Sequence, residues 1–284
     1  MTKTIDTIVS DIYEVLEGNG GWDQTVAQFL ADGILERTMK QFGAPPELRN
    51  WLSPSMLGQP CDRKKWYQIN EPEKAVPLDA QAIGTFMYGD ILEYMVIALA
   101  MAAGHDVQGL QEPLDVCGLS GSGDCIIDGM VVDIKSASSY GFKKFEDNGV
   151  KEDDPFGYIS QLSSYLYAYQ DDDRVTEKDR AAFLVVKKDR FKLVLDTYDL
   201  RKEVDNKEQE VQRAVNLVEG PIPEVRIPSV PDGKSGNMKL ALPCSYCQFK
   251  NHCWADVKIR RFAYANEIRE LVHVTNLPRV PEIT

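Results

Sequence analysis

Three absences narrow the reading of this chain before any motif is found. No basic segment followed by an apolar run opens it, so no secretion signal is expected and its cysteines are read as belonging to a reducing compartment. No long apolar run is present either, since the longest, Met95 to Ala103, is too short to span a bilayer. Positive charge is scarce: 32 Lys and Arg stand against 44 Asp and Glu, a formal net charge of −12. That balance excludes a protein coated in basic residues for sequence-independent coverage of DNA, though it leaves room for a local basic groove. Together these absences predict a soluble cytoplasmic protein with no membrane partner.

The 284 residues are 43% hydrophobic and 9% aromatic, ample for a sizeable core in one large domain or two small ones. The pattern divides into a helical layer over 1–52, a core over 53–219 and a C-terminal segment over 220–284. In the first part, apolar periodicity in Ile5-Ile8-Ile12 and Val26-Phe29-Leu30 predicts helices broken at Gly18 to Gly21, with no chemistry in them. The run Arg63-Lys64-Lys65 beside Trp66 and Tyr67 fits either a phosphate contact or a solvated face. From Ala80 to Ala103 a helix apolar almost all round implies burial between other elements. Glu93 inside it, with Asp90 one turn earlier, is a candidate functional acid; the same pattern also fits a glutamate at the helix rim.

The most informative stretch is Ser122 to Ser136. Two runs rich in β-branched residues flank Asp128-Gly129, the strongest short hairpin signal, because a type I′ turn needs positive φ at both central residues. With that two-residue loop Ile127 pairs with Met130, Cys125 with Val132, and Asp124 lies opposite Asp133. Ile127, Cys125, Met130, Val132 and Ile134 then share a core face, and Asp124, Asp133 and Lys135 share the other with Ile126 and Val131. Directly opposed carboxylates, roughly 4.5–5.5 Å apart at Cβ, are unfavourable unless something cationic sits between them. A hard divalent metal would serve, with Lys135 reaching its water or phosphate. Asp-x-Lys by itself says little, because the chain contains it five times. Only Asp133-Lys135 has a hairpin and an opposing acid.

Downstream, Phe142-Lys143-Lys144-Phe145 lies in a polar stretch that reads as a loop or a strand-contacting lip. Asp154-Pro155 starts a helix that places Gln161 and Tyr165 on one face. Ala181 to Val186 and Phe191 to Leu195 read as strands, Lys202 to Val218 as a helix, and the tail from Arg260 as strand-like. Cys117 and Cys125 read as ordinary buried thiols. Cys61, Cys244, Cys247 and Cys253 form a set whose spacing suits either a tetrahedral Zn²⁺ or a [4Fe-4S] cluster.

In order, Gly89-Asp-Ile-Leu-Glu93, Gly121-Ser-Gly-Asp124, Asp133-Ile-Lys135 and Gln161 to Tyr165 resemble the RecB-like branch of the PD-(D/E)xK nucleases, specifically its iron-sulfur members. These include CRISPR-associated, AddB-type and phage-encoded exonucleases. The resemblance covers roughly 53–255 and implies an α/β restriction-endonuclease-like core, its mixed central sheet flanked by helices and clasped by a four-cysteine [4Fe-4S] cluster. It implies a deoxyribonuclease, most readily an exonuclease at DNA ends or on single strands, in recombination, repair, replication or degradation. The setting it implies is a bacterial or phage-infected cell, with a second copy or a recombination or replication protein as further partners. Glu93, Asp124, Asp133 and the Ile134 carbonyl would ligate Mg²⁺ or Mn²⁺. Lys135 would orient or deprotonate the attacking water, with Gln161 and Tyr165 fixing Lys135 or a phosphate. Many relatives carry a histidine in the Ala80–Ala103 helix; here Tyr88 and Asp90 take the corresponding positions and His105 lies past its end. A non-catalytic DNA-binding or assembly protein on the same fold, or an endonuclease, are the competing readings.

Overall fold

Asp128 and Gly129 have φ of +50° and +80°, the pair of positive values that a two-residue hairpin loop demands. In the computed structural model, which describes residues 3–43, 50–265 and 268–283, this turn sets the register of the hairpin that it closes. Ile127 pairs with Met130, Ile126 with Val131 and Cys125 with Val132, as the turn dictates.

Helices α1 (Ile8–Glu14), α2 (Gln24–Phe42), α3 (Pro54–Leu57), α4 (Asp62–Asn70) and α5 (Ala80–Ala102) come first. Strands β1 (Val107–Gln108), β2 (Pro113–Val116), β3 (Leu119–Ser122), β4 (Cys125–Ile127) and β5 (Met130–Ala137) follow. Helices α6 (Ser139–Glu146) and α7 (Tyr158–Ala168) then lead to β6 (Arg180–Lys187) and β7 (Leu193–Asp199). After α8 (Arg201–Asp205) and α9 (Lys207–Glu219), the chain forms β8 (Val230–Pro231), β9 (Met238–Lys239), α10 (Leu242–Ser245) and α11 (Lys250–Cys253). It finishes with β10 (Arg260–Ala263), β11 (Ile268–His273) and β12 (Glu282–Ile283).

The described residues fall into two compact units, one built from the N-terminal helices, 53–58 and 79–212, the other from 50–52, 59–78 and 213–283. The segment carrying Cys61 therefore groups with the C-terminal residues and not with the first sheet, and α1 and α2 belong to the sheet's own unit.

The first unit holds a mixed sheet in the order β1-β4-β5-β6-β7, antiparallel except for the parallel pair β5 and β6. Its two faces are both buried. Cys125, Ile127, Met130, Val132 and Ile134 pack with Ile8, Ile12, Val96 and Ile97 from α1 and α5. Ile126, Val131, Phe183 and Val185 pack with Phe142, Phe145, Leu162 and Leu166 from α6 and α7. The acid-bearing face of β5 is thus as deep as the other, and a central parallel strand such as β6 reads as a continuous apolar run for this reason.

Two expectations are corrected by this packing. α5 is buried only from Leu92 onward, while Phe86 and Tyr88 on its first turns are exposed. By length and composition alone α5 could cross a membrane, yet its second half is packed on the sheet. The stretch Phe142 to Phe145 is neither loop nor lip: Ser138 caps α6 by accepting from the Gly141 N–H at 3.3 Å, and both phenylalanines enter the core. The second unit contains its own sheet, β12-β10-β11-β9-β8, so the C-terminal residues are strands as their pattern predicts.

α2 lies tightly on α5 at Gly33, where an added Cβ would collide with the buried Tyr94 ring. Gly33→Ala should therefore destabilise the protein by about 1–3 kcal/mol through overpacking. Urea unfolding measures this, and an unchanged midpoint would mean that the two helices are not packed this closely.

Candidate active site

β4 begins only at Cys125, so from Asp133 onward the edge of β5 has no strand on that side. The orphaned Ile134 N–H donates instead to the Asp124 carboxylate at 2.8 Å, which draws this acid against β5. The Asp124 carboxylate lies near enough to Asp133 to reinforce the rise in its proton affinity. Glu93 comes from the first buried turn of α5, which approaches β5 so closely that a Cβ on Gly89 would lie 3.2 Å from the Ser136 hydroxyl. Between Glu93 and Asp124 sits the Gln111 amide, donating to the first at 2.7 Å and to the second at 3.3 Å.

Strand alternation turns Asp133 and Lys135 the same way, towards α7. The Lys135 Nζ lies 2.9 and 2.7 Å from the two Asp133 oxygens, 3.4 Å from Gln161 Oε1 and 5.4 Å from the centre of the Tyr158 ring. Gln161 in turn donates to the Tyr165 hydroxyl at 2.6 Å. The six side chains marked in the sequence are thus gathered in one place.

Burial dominates their electrostatics. It pushes Glu93 up to about 8, with Asp124 and Asp133 adding and Arg37 opposing. It drives Asp133 well above the usual carboxylate range, an effect that Lys135 offsets in part and Asp124 reinforces. For Lys135 burial acts downward, but Asp133 and Asp124 outweigh it and hold the ammonium charged well above its ordinary range. The acids are a set of hard oxygen donors lacking enough positive charge, which is the chemistry that Mg²⁺ or Mn²⁺ satisfies. In this arrangement an amide or an ammonium already engages each of them, and among the described residues no three His, Cys, Asp or Glu side chains converge tightly enough to hold one metal ion.

Residues 36–254 match the sequence profile of the PD-(D/E)XK nuclease superfamily. The chain belongs to that superfamily. No curated protein matches the sequence. Among solved structures, that described as SSO0001 is similar at a TM-score of 0.44 and 15% identity, over 81% of this chain and 98% of the other. PD-(D/E)XK nucleases ordinarily use Mg²⁺ or Mn²⁺, and the fold implies DNA as substrate.

Two residues of this superfamily member escaped the sequence reading. Arg37 projects from α2, a helix expected to carry no chemistry, and its guanidinium lies 3.7 Å from Glu93. A lone arginine one turn beyond the close-packed Gly33 was the available signal. Gln111 sits in a loop with no motif, and nothing in its neighbours announces its φ of +50°. His105 is remote from the acids, buried between Asp128 at 2.6 Å and Asp11 at 3.3 Å, where it ties the hairpin turn to α1. Tyr88 points to the Lys188 carbonyl at 3.1 Å.

In the second unit Cys61, Cys244, Cys247 and Cys253 line one cavity together with Lys64, Tyr67 and Arg226. Burial, with Cys61 and Cys247 adding, pushes Cys244 up to about 11; burial also raises Cys247 and Cys253. Cys125 is a buried core thiol as expected, but Cys117 is exposed, with φ of +53° in the turn between β2 and β3.

Because Glu93 titrates near 8 when folded and near 4.5 when unfolded, the folded protein binds more protons throughout that window. Stability of the metal-free PD-(D/E)XK protein should therefore fall as pH rises from about 4.5 to 8, by up to ~1.4 kcal/mol per pH step of one. Asp133 acts with the same sign. Glu93→Gln should flatten the fall, measured by urea midpoints against pH in chelator; an unchanged slope would show that Glu93 ionises normally.

Proposed function

We propose that this protein is a metal-dependent deoxyribonuclease of RecB-like type, acting as an exonuclease on DNA ends or single strands. The observation that carries this reading is the convergence of Glu93, Asp124, Asp133 and Lys135 at the open edge of β5 in a PD-(D/E)XK chain. The RecB-like part is supported by the Gln161–Tyr165 pair, which engages Lys135 as the resemblance implies.

Glu93, Asp124, Asp133 and the Ile134 carbonyl would hold Mg²⁺ or Mn²⁺. The chemistry supplied by that ion is charge stabilisation on the phosphorane-like transition state and a more acidic attacking water. Lys135, charged because two carboxylates outweigh its burial, serves as a hydrogen-bond donor to the water or to a phosphate oxygen and not as the base that deprotonates it. Gln161 fixes the ammonium from one side while Tyr165 fixes Gln161, so that the aim of Lys135 would not depend on Asp133 alone.

The four-cysteine cavity supports a [4Fe-4S] cluster as a structural staple. Neutral buried thiols gain little from one another, whereas thiolates on iron would tie 61 to 244–253 by covalent bonds. The preference for this cluster over Zn²⁺ comes from the resemblance to the iron-sulfur nucleases, since the cysteine spacing suits either.

Asp133→Asn should abolish cleavage of end-labelled linear DNA in Mg²⁺ or Mn²⁺ while DNA affinity stays within about a few-fold, because phosphate contacts and not this acid position the strand. Undiminished cleavage would overturn the site, and cutting of closed circular DNA would make the enzyme an endonuclease. Anaerobically purified protein should be coloured and contain iron and sulfide, and Cys247→Ser should lose the colour and much of the folded material. A colourless, zinc-containing wild type would refute the cluster.

A further inference from the structure

Gln111 is a non-glycine residue in the left-handed region, at φ +50°, and such backbone persists only where the surroundings over-determine it. The surroundings here do so. Its N–H donates to the Asp124 carbonyl at 3.1 Å, so backbone and side chain both hold it against that acid. Its neighbour Glu112 takes a two-pronged bond from Arg174, at 2.9 and 2.7 Å, and Arg174 is itself braced by Asp172. A loop clamped at this cost delivers one polar group, the Nε2 amide, to the point between two acids, where it bonds to both.

The geometry points to Gln111 as a displaceable stand-in for the metal ion: in the metal-free protein its neutral amide supplies the N–H donors that hold Glu93 and Asp124 together, and it withdraws when a divalent cation takes the place between them. This rests on the reading of Glu93 and Asp124 as metal-binding acids. The residue type suits the task. A lysine or arginine at 111 would form a permanent ion pair and close the site, and an apolar residue would leave two buried carboxylates facing each other. An amide offers partial charge, enough to hold the acids converged and weak enough to yield to a full divalent charge. Gln111 is a positioning residue on this account, bonded to the acids only while the ion is away.

The contact then contributes to stability only without metal, and by linkage its loss must tighten metal binding. Gln111→Ala and Gln111→Asn test this; asparagine tolerates the positive φ but is one methylene too short to bridge both acids. Thermal melts in chelator should show both variants below wild type, and saturating Mg²⁺ should remove the deficit. Calorimetric Kd for Mg²⁺ at fixed pH should fall about tenfold, equal to ~1.4 kcal/mol. An equal melting deficit with and without Mg²⁺, and an unchanged Kd, would show that Gln111 is only framework and overturn the proposal. A wild type that Mg²⁺ does not stabilise at all would instead overturn the metal-site reading, and this inference with it. Should neither variant fold, nuclear magnetic resonance of the wild type decides. Mg²⁺ should release the Gln111 side-chain amide protons to fast exchange while those of Gln170, bonded to the carbonyls of Leu166 and Lys178, stay protected. Continued protection of Gln111 in Mg²⁺-saturated protein would overturn the proposal.

Discussion

The arrangement depends on one electrostatic conflict: three carboxyl groups are withdrawn from water at the edge of a sheet whose two faces are both core. Asp133 is fully buried, and Glu93 titrates several pH steps above an ordinary glutamate. A sheet does not gather such groups by default, since burial costs desolvation and the neighbouring acids raise Glu93 and Asp133 further. The surrounding features offset that cost without dispersing the acids. β4 stops short so that an orphaned amide can hold Asp124, Lys135 doubles back on Asp133, and the 109–112 loop is forced into positive φ to place an amide between Glu93 and Asp124.

The same conflict accounts for the placing of the helices. α5 must be apolar where it covers the sheet, yet it must bring a glutamate to the sheet's margin, so its burial begins at Leu92 and the acid follows at once. The approach is close because Gly89 and Gly33 remove side chains where β5 and α2 come near. α7 contributes from the opposite face, where Gln161 and Tyr165 reach the lysine that strand alternation has turned towards them.

How much of this could be read from sequence follows from the range of the interactions. The hairpin register was legible because Asp128-Gly129 fixes it locally, whereas Asp124, one residue outside β4, is placed by its bond from the Ile134 N–H. What lay beyond local pattern was misread. Periodicity cannot tell that α5 is covered over half its length, and two lysines between two phenylalanines in α6 resemble a lip until Ser138 is seen to cap a helix. Apolar spacing treated α2 as packing alone, though Arg37 reaches Glu93 across 56 positions of chain. Gln111 was invisible, because positive φ in a non-glycine residue is imposed by tertiary contacts, here Arg174 on Glu112, and leaves no mark on the sequence. The C-x₂-C pair is a local signal, and all four cysteines of the set line one cavity.

The parallel pairing of β5 with β6 has a kinetic side. Asp133 faces Phe183 and Lys135 faces Val185, so the strand bearing the two charged groups pairs with one that lies beyond α6, α7 and their connecting loops. Closing a loop of that length costs entropy before any contact rewards it, which places this pairing among the slow events of folding. Until β6 is seated, the hairpin is a short two-stranded ribbon open to water, in which the carboxyls are solvated and Lys135 has no partner on α7. Asp133 therefore acquires its raised proton affinity, and its need for a counter-charge, only when β6 and α7 cover it.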